Sequence, residues 1–547
     1  MALQDDIVGE LKRAPALARA WVAPNVTAFL ASGQPRVWVL ALAIGIGVGL
    51  AAIAFREAIA AVQWLWLGTR SEKMLATARS LPWYWILACP VVGGVVVGQI
   101  LRLISTRRTG GVADVIEART KSGRHLGLRD GLLSALATAI SLGAGASAGR
   151  EGPVVHLGAT LATALAHWQR LPGWASRTLL GAGVASAVSA SFNAPIAGVL
   201  FAHEVILGHY APRAFAPIVI ASTGGAIASR LWFGEAAAFA VPRYQLTSYW
   251  EFPAFALLGL TCGLVAIAFQ FALVGSDYML RKVTMPLWLM PVAGGAVVGA
   301  IAVFFPEIIG VGYDATDLAL WNRLPLSLML ALIVVKAAAT AITLASRFGG
   351  GVFSPSLYLG AMTGGAFGLI AGPVFPDMAS SEGLYAILGM GAVAGAVLGA
   401  PISTTVIVFE LTGGYTLSIA LLMTVAIAHA ATQAIHGHSY FHWQLAMRGL
   451  FVQDGSHRTL ARDRTVADFL DPLQPGEDDA TPENLRPAAL RAGDSLDVAL
   501  RAFDTSGQGR LPVVDASGTR MIGWASQVRA LAFFNKALID ASVEEHR

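Results

Sequence analysis

Gly149-Arg150-Glu151-Gly152-Pro153 is followed by Val154-Val155-His156-Leu157-Gly158-Ala159, so one acid stands in a glycine-rich break between two long apolar runs. A carboxylate at that depth in a hydrophobic sequence is costly: it must face a polar cavity, be paired, or be protonated. Glu151 is a candidate functional residue from its setting alone. The glycines beside it leave backbone N–H groups open at a helix start, where an anion can be held. An ionised Glu151 would occupy that place itself and leave it when protonated or displaced by an anion. An acid that competes with a permeant ion is a gate.

The rest of the composition supplies the medium. Of 547 residues, 55% are hydrophobic and 13% charged, against about a quarter charged in soluble domains. This excludes a soluble enzyme and implies a polytopic protein whose first partner is the lipid bilayer. A net charge of +4, diluted over so much apolar sequence, gives no reason to invoke nucleic acid. Cys89 and Cys262 lie in apolar runs and read as small buried hydrophobes, with neither a disulfide framework nor metal-ligand spacing. The opening Met1-Ala2-Leu3-Gln4-Asp5-Asp6 lacks the basic flank and apolar core of a cleaved signal peptide.

Residues 1–35 are expected to form a cytoplasmic segment with an amphipathic helix near Lys12, Arg13 and Arg19. Val37 to Gly68 and Pro82 to Ile104 are each long enough to cross a bilayer. Residues 101–130 carry Arg102, Arg107, Arg108, Arg119, Lys121, Arg124 and Arg129 against Asp114, Glu117 and Asp130. That excess places them on the cytoplasmic side, and with two spans in between, the N-terminus with them. Beyond, the apolar segments shorten and are broken by Gly, Pro, Ser and Asn: 128–142, 153–168, 174–190, 194–207 and 214–232, then longer runs at 249–275 and 284–304. The pattern returns at 325–345, 355–371, 384–399, 401–411, 416–434 and 438–447. Such breaks are tolerable in a membrane only where protein or a water-lined cavity satisfies the backbone.

The return is an internal repeat. Pro153-Val-Val-His-Leu-Gly-Ala159 matches Pro355-Ser-Leu-Tyr-Leu-Gly-Ala361, each after a glycine-rich break; Ala194-Pro195-Ile196 and Ala400-Pro401-Ile402 each have a glutamate, Glu204 and Glu410, nine residues past the proline. Two halves of roughly 200 residues follow, and paired discontinuous helices in related, usually inverted, halves point to a transport site at mid-membrane. The matching break, Gly349-Gly-Gly-Val-Phe-Ser-Pro355, offers a second helix start facing the same region. Glu204 and Glu410 read equally as ion-path residues or as contacts between halves. Lys336 and His203 could partner such acids; His156 lies near the start of the helix after Glu151. No metal site is implied.

From about Leu450 the chain turns polar. Residues 451–484 read as a linker, with Thr465 to Leu470 a short helical lead-in and Asp471 to Asn484 a loop. Residues 485–547 read as one small α/β module: a helix at Leu496–Phe503, strands at Arg510–Val514 and Met521–Ala525 around an Asp515-Ala-Ser-Gly518 turn, and a closing helix over Ser526–Asn535.

Residues 36–450 closely resemble the chloride channel and chloride/proton antiporter family. The resemblance rests on Gly149-Arg-Glu-Gly-Pro153, Gly350-Gly-Val-Phe-Ser-Pro355, Ser191-Phe-Asn-Ala-Pro195 and the neighbourhood of Tyr440. It implies an all-α membrane fold of two inverted halves with tilted and broken helices, assembled as a homodimer with an anion path in each subunit. It makes Glu151 the gating glutamate, Val352 and Phe353 backbone donors to a central anion, and Tyr440 a hydroxyl donor on the inner side, or Phe441 in the neighbouring register, with no hydroxyl. Arg150, Gly152, Gly110 and Gly111 complete the expected anion-binding set. Chloride is the implied cargo, with no cofactor, in a bacterial inner membrane with both termini cytoplasmic.

Two departures bear on function. The family's Gly-Ser-Gly-Ile-Pro signature, whose serine helps bind chloride, is here Thr109-Gly110-Gly111-Val112-Ala113, so Gly110 lacks the hydroxyl. Antiporters commonly carry a proton-transfer glutamate just after the position of Glu204, and here that place is Val205. The balance favours a passive anion channel; the alternative is a chloride/proton antiporter with a non-standard inner route through Glu204 or His203. The tail resembles a cystathionine-beta-synthase-type module in single copy, with Arg529 in place of the acid that often holds a nucleotide ribose, and its implied role is pairing across the dimer.

Overall fold

The computed structural model describes residues 20–120, 126–235, 239, 249–374, 380–412, 417–450, 464–473, 488–515 and 520–546. The chain divides into two compact units, Met1–Phe441 and His442–Arg547. The expected N-terminal amphipathic helix is described only as α1, Ala20–Ala31; Lys12, Arg13 and Arg19 lie outside the described residues.

The first unit is all helix, and its last helix, Tyr440–Ala446, continues past the boundary at Phe441. In order come α2 (Gln34–Leu67), α3 (Leu75–Ser80), α4 (Trp83–Leu103), α5 (Val112–Thr120), α6 (Leu128–Gly143), α7 (Glu151–Trp168), α8 (Gly173–Phe192), α9 (Pro195–Phe201), α10 (Pro212–Phe233), α11 (Phe252–Arg281), α12 (Leu289–Phe304), α13 (Tyr313–Leu320), α14 (Leu326–Ala345), α15 (Phe353–Val374), α16 (Glu382–Leu398), α17 (Pro401–Thr412), α18 (Ser418–Ile435) and α19 (Tyr440–Ala446). Seven segments among the described residues are long and apolar enough to cross a membrane. The protein is a polytopic all-α membrane protein carrying a small C-terminal α/β module.

Local chemistry sets the breaks. α8 stops at Asn193, in the left-handed conformation with φ 57°, and α16 stops at Gly399, with φ 68°. The next residues are Ala194-Pro195 and Ala400-Pro401, and a proline at the first helical position starts a new helix without wasting an N–H. The segment expected as one helix over 194–207 is in fact α9 followed by a π-helical turn, Ala202–Leu207. α16, apolar on every side after its first residue, is buried from Gly383 to Leu398. Glycine permits the closest crossings. A Cβ on Gly158 would lie 2.5 Å from the Gly183 carbonyl oxygen, and one on Gly183 2.5 Å from that of Gly158; Gly360 and Gly389 approach each other in the same reciprocal way between α15 and α16. The repeat read from sequence is thus a repeat of packing.

In the second unit four short strands form one sheet: β1 (Asp471–Pro472), β2 (Leu490–Arg491), β3 (Arg510–Val514) and β4 (Met521–Ser526), in the order β1-β4-β3-β2. β2 runs parallel to β3; the other pairs are antiparallel. Helices α20 (Leu496–Ser506) and α21 (Gln527–His546) complete it. Val466, Phe469, Leu496, Phe503, Leu511 and Val513 form its core. The expected loop from Asp471 is corrected at its start: Asp471 and Pro472 are the edge strand, where a proline lacking an N–H is tolerated.

Candidate functional site

The two glycine-rich breaks meet. Gly149 and Gly351 form an isolated antiparallel bridge, each donating its N–H to the other's carbonyl at 2.7 Å. This brings the first residue of α7, Glu151, to the first turn of α15. Two helix N-termini then face one region from opposite halves, each with unfilled backbone donors in its first turn.

Glu151 fills that region. It is 1% exposed. Its Oε1 accepts hydrogen bonds from the Ser354 hydroxyl at 2.5 Å and from the Tyr313 phenol at 3.1 Å. Oε2 has no partner among the described residues. Arg150 Nε lies 3.9 Å from Oε1, and its guanidinium sits over the Tyr313 ring at 5.2 Å from the centroid. The carboxylate therefore sits as a tethered anion at the start of α15, held by donors that would serve a free anion equally well.

Arg150 is itself anchored. Nη1 donates to Glu72, whose carboxylate also meets Arg56 Nε at 2.6 Å. Glu72 lies in the connection after α2, outside the spanning helices. Burial alone would raise its pKa, but Arg150 and then Arg56 outweigh that and hold it below the ordinary carboxylate value. Charges thus alternate from Arg56 through Glu72 and Arg150 to Glu151.

Val352 and Phe353 are 2% and 3% exposed. Their N–H groups make no hydrogen bond among the described residues. The Phe353 ring packs against Phe192 and Phe201, at 5.0 and 5.9 Å between centroids, which fixes the start of α15 against the ends of α8 and α9. Gly152 lies next to Gly351: a Cβ there would be 3.4 Å from the Gly351 Cα and 3.9 Å from Val112 Cγ2. The connection before α5 is arranged differently. Gly110 N–H donates to the Ser134 hydroxyl at 2.8 Å, and Gly111 N–H to Asp114 at 2.9 Å. Any Cβ on Gly110 would overlap the imidazole of His156. Tyr440 and Phe441 are both buried at the start of α19, with ring centroids 6.0 Å apart.

The paired glutamates are engaged reciprocally. Glu204 accepts from Ile402 N–H at 3.0 Å, Ser403 N–H at 2.7 Å and the Ser403 hydroxyl; Glu410 accepts from Ile196 N–H at 3.1 Å and Ala197 N–H at 2.8 Å. Each acid caps the short helix of the opposite half. Val205 is buried beside Glu204. His203, fully buried, shares a hydrogen bond of its Nδ1 with the His209 carbonyl at 3.1 Å and stacks on Tyr210, while its Nε2 has no partner among the described residues. Lys336 does not pair with either glutamate; its ammonium donates to the carbonyls of Ile308 and Gly310 at 3.0 and 2.9 Å. Among the described residues no His, Cys, Asp and Glu cluster could hold a metal ion.

Sequence reasoning missed the two residues that hold Glu151. Tyr313 opens α13, an eight-residue helix with two acids that an apolar-run reading passes over. Ser354 stood inside a quoted motif, but a serine within an apolar run does not reveal its partner.

Residues 93–433 match the family described as voltage gated chloride channel. A putative chloride channel protein, ClcB-like, of Ralstonia nicotianae is 31% identical over 406 residues, which are 72% of this chain and 93% of that protein. The H(+)/Cl(-) exchange transporter ClcA of Klebsiella pneumoniae strain 342 is 30% identical over 308 residues, 54% of this chain and 64% of that protein. Among solved structures, a slow cyanobacterial Cl-/H+ antiporter shares the fold, with a TM-score of 0.68 at 22% identity, over 77% of this chain and 99% of the other.

Proposed function

The chain belongs to the voltage gated chloride channel family, and we propose that it is a passive chloride channel gated by Glu151. One observation carries this reading: the Glu151 carboxylate lies at the start of α15 on the Ser354 and Tyr313 hydroxyls, as a permeant anion would. The protein transports its cargo without transforming it. When Glu151 is protonated its hold on these donors weakens, and an anion in high concentration competes for the same seat.

Passive conduction is favoured because Val205 offers no proton carrier and both oxygens of Glu204 are taken up as helix caps. A second reading, chloride/proton antiport by a non-standard inner route, is favoured by one feature: the buried, unpartnered Nε2 of His203. Purified protein in vesicles under a chloride gradient separates them. The channel reading expects a reversal potential at the chloride equilibrium value; chloride-driven proton uptake would overturn it, and no anion flux at all would overturn both. Glu151→Gln, fixed in the neutral state, is expected to conduct with a flattened pH response. Wild-type pH dependence in that variant would remove Glu151 from the gate.

Assembly follows the same reading: a homodimer in a bacterial inner membrane, one anion path per subunit, residues 101–130 and both termini cytoplasmic. The domain limits proposed are 36–450 for transport and 485–547 for a cystathionine-beta-synthase-type module. That module pairs with its copy, a role supported by Val528 and Leu531, exposed apolar residues on α21. Arg529 is bonded to Asp471 in the sheet, which disfavours a nucleotide there.

A further inference from the structure

We infer that His156 is the residue that sets anion preference on the α5 side of the path. The inference rests on the anion-transport reading above and deepens it. Three observations converge on it.

First, the two glycines of the connection before α5 have spent their donors: Gly110 N–H on Ser134 and Gly111 N–H on Asp114, with Arg108 also on Asp114 at 2.9 Å. An anion passing there finds no free amide at Gly110 or Gly111. Second, the His156 ring edge, Nε2 included, lies where any side chain at Gly110 would have to go. The ring reaches across from α7 to fill the place left by glycine. Third, His156 is 7% exposed, and its ring nitrogens have no hydrogen-bond partner among the described residues.

No protein group satisfies these nitrogens, so a small polar species that reaches the ring, water or an anion, has to. Packing alone needs no imidazole, since Tyr358, its counterpart in the second half, lies over a glycine of its own, Gly312, with a phenol ring. His156 and Gly152 lie one helical turn apart on a single face of α7, and Gly152 adjoins both Gly351, where the two breaks cross, and Val112 of α5. The ring N–H is therefore a donor on the wall between the helix starts and the α5 connection. Histidine and glycine act as a pair: the small residue makes room for the donor on the neighbouring helix.

The deciding experiment measures chloride and nitrate flux from vesicles containing the full-length protein. His156→Phe keeps a ring over Gly110 and removes the N–H. Its chloride-to-nitrate permeability ratio is expected to differ from wild type by about threefold or more, specificity being a difference of affinities, with the melting profile in detergent retained. An unchanged ratio overturns the inference. Gly110→Ser alone is expected to lose flux, because its Cβ meets the ring, and His156→Ala/Gly110→Ser to regain it with an altered ratio. If His156→Phe does not fold, this second pair decides: full flux and a wild-type ratio in Gly110→Ser alone would equally overturn it. Wild-type vesicles that pass neither anion would sink the transport reading and this inference together, whereas normal wild-type flux with unchanged ratios in the variants sinks this inference alone.

Discussion

If Glu151 closes the path by sitting on the Ser354 and Tyr313 hydroxyls, removing either hydroxyl must open it. A hydrogen bond to a charged group contributes about 1.5–3 kcal/mol. Ser354, donating at 2.5 Å, belongs at the upper end, and Tyr313, at 3.1 Å, at the lower. With tenfold in an equilibrium for every ~1.4 kcal/mol, Ser354→Ala should shift the displaced-to-seated ratio of the carboxylate by roughly 30- to 100-fold, and Tyr313→Phe by roughly tenfold. Both substitutions nearly preserve shape, so packing around the buried carboxylate changes little. The measure is chloride efflux from vesicles at fixed pH, with Glu151→Ala as the ceiling because it has no gate to seat. Flux should rise in the order wild type, Tyr313→Phe, Ser354→Ala, Glu151→Ala. The decisive comparison is in the Glu151→Ala background, where the acceleration should vanish: with no carboxylate to release, either hydroxyl deletion should leave flux unchanged or lower it, because the permeant anion has lost a donor. Equal acceleration with and without Glu151 would refute the argument, as would wild-type flux in Ser354→Ala.

Other expectations follow from the same contacts. Glu204→Ala and Glu410→Ala each strip the caps from a helix of the opposite half; at about 1 kcal/mol per lost cap bond, each should cost about 2–3 kcal/mol and lower the melting temperature in detergent, while folded protein keeps its chloride flux. Loss of flux without loss of stability in Glu204→Ala would instead mark that acid as an ion-path residue. Glu72→Gln leaves the buried Arg150 without its hydrogen-bonded anionic partner and should cost about 3 kcal/mol near neutral pH. Because pairing holds the Glu72 pKa below its ordinary value, that stabilisation is present above the ordinary carboxylate range and is lost as pH falls through the depressed value. The melting gap between wild type and Glu72→Gln should therefore close on acidification; a gap independent of pH would show that charge is not what Glu72 contributes.

The sequence disclosed what depends on local chemistry. An isolated acid between glycines marks Glu151, prolines after Asn193 and Gly399 mark new helices, and apolar runs of sufficient length mark the spans. It hid what depends on distant pairing. Ile402 lies 198 positions from Glu204, and only the matched spacing of Glu204 and Glu410 hinted that the two acids share one structural role. Tyr313 was illegible because its helix is short and polar, and β1 and β2 because two residues cannot show the alternation that identifies a strand. The importance of His156 was equally hidden: nothing in a histidine's own neighbourhood says that its ring will lie against a glycine on another helix.

Comparing the halves separates scaffold from site. Glu204 and Glu410 are the same residue in the same role, each capping the short helix of the opposite half, and Val205 and Leu411 after them are both buried and apolar. Symmetric positions such as these bond reciprocally and hold the halves together. At the breaks the symmetry fails: the repeat sets Glu151 opposite Phe353, and Gly152 opposite Ser354. Acids at both helix starts would repel each other across the Gly149–Gly351 bridge, and acids at neither would leave two sets of donors open to any anion. One acid on α7 facing a hydroxyl on α15 fills the seat internally, and the proposed gating consists in vacating it. A gate of this kind requires two inverted halves to bring the helix starts together and a difference between them at that one point.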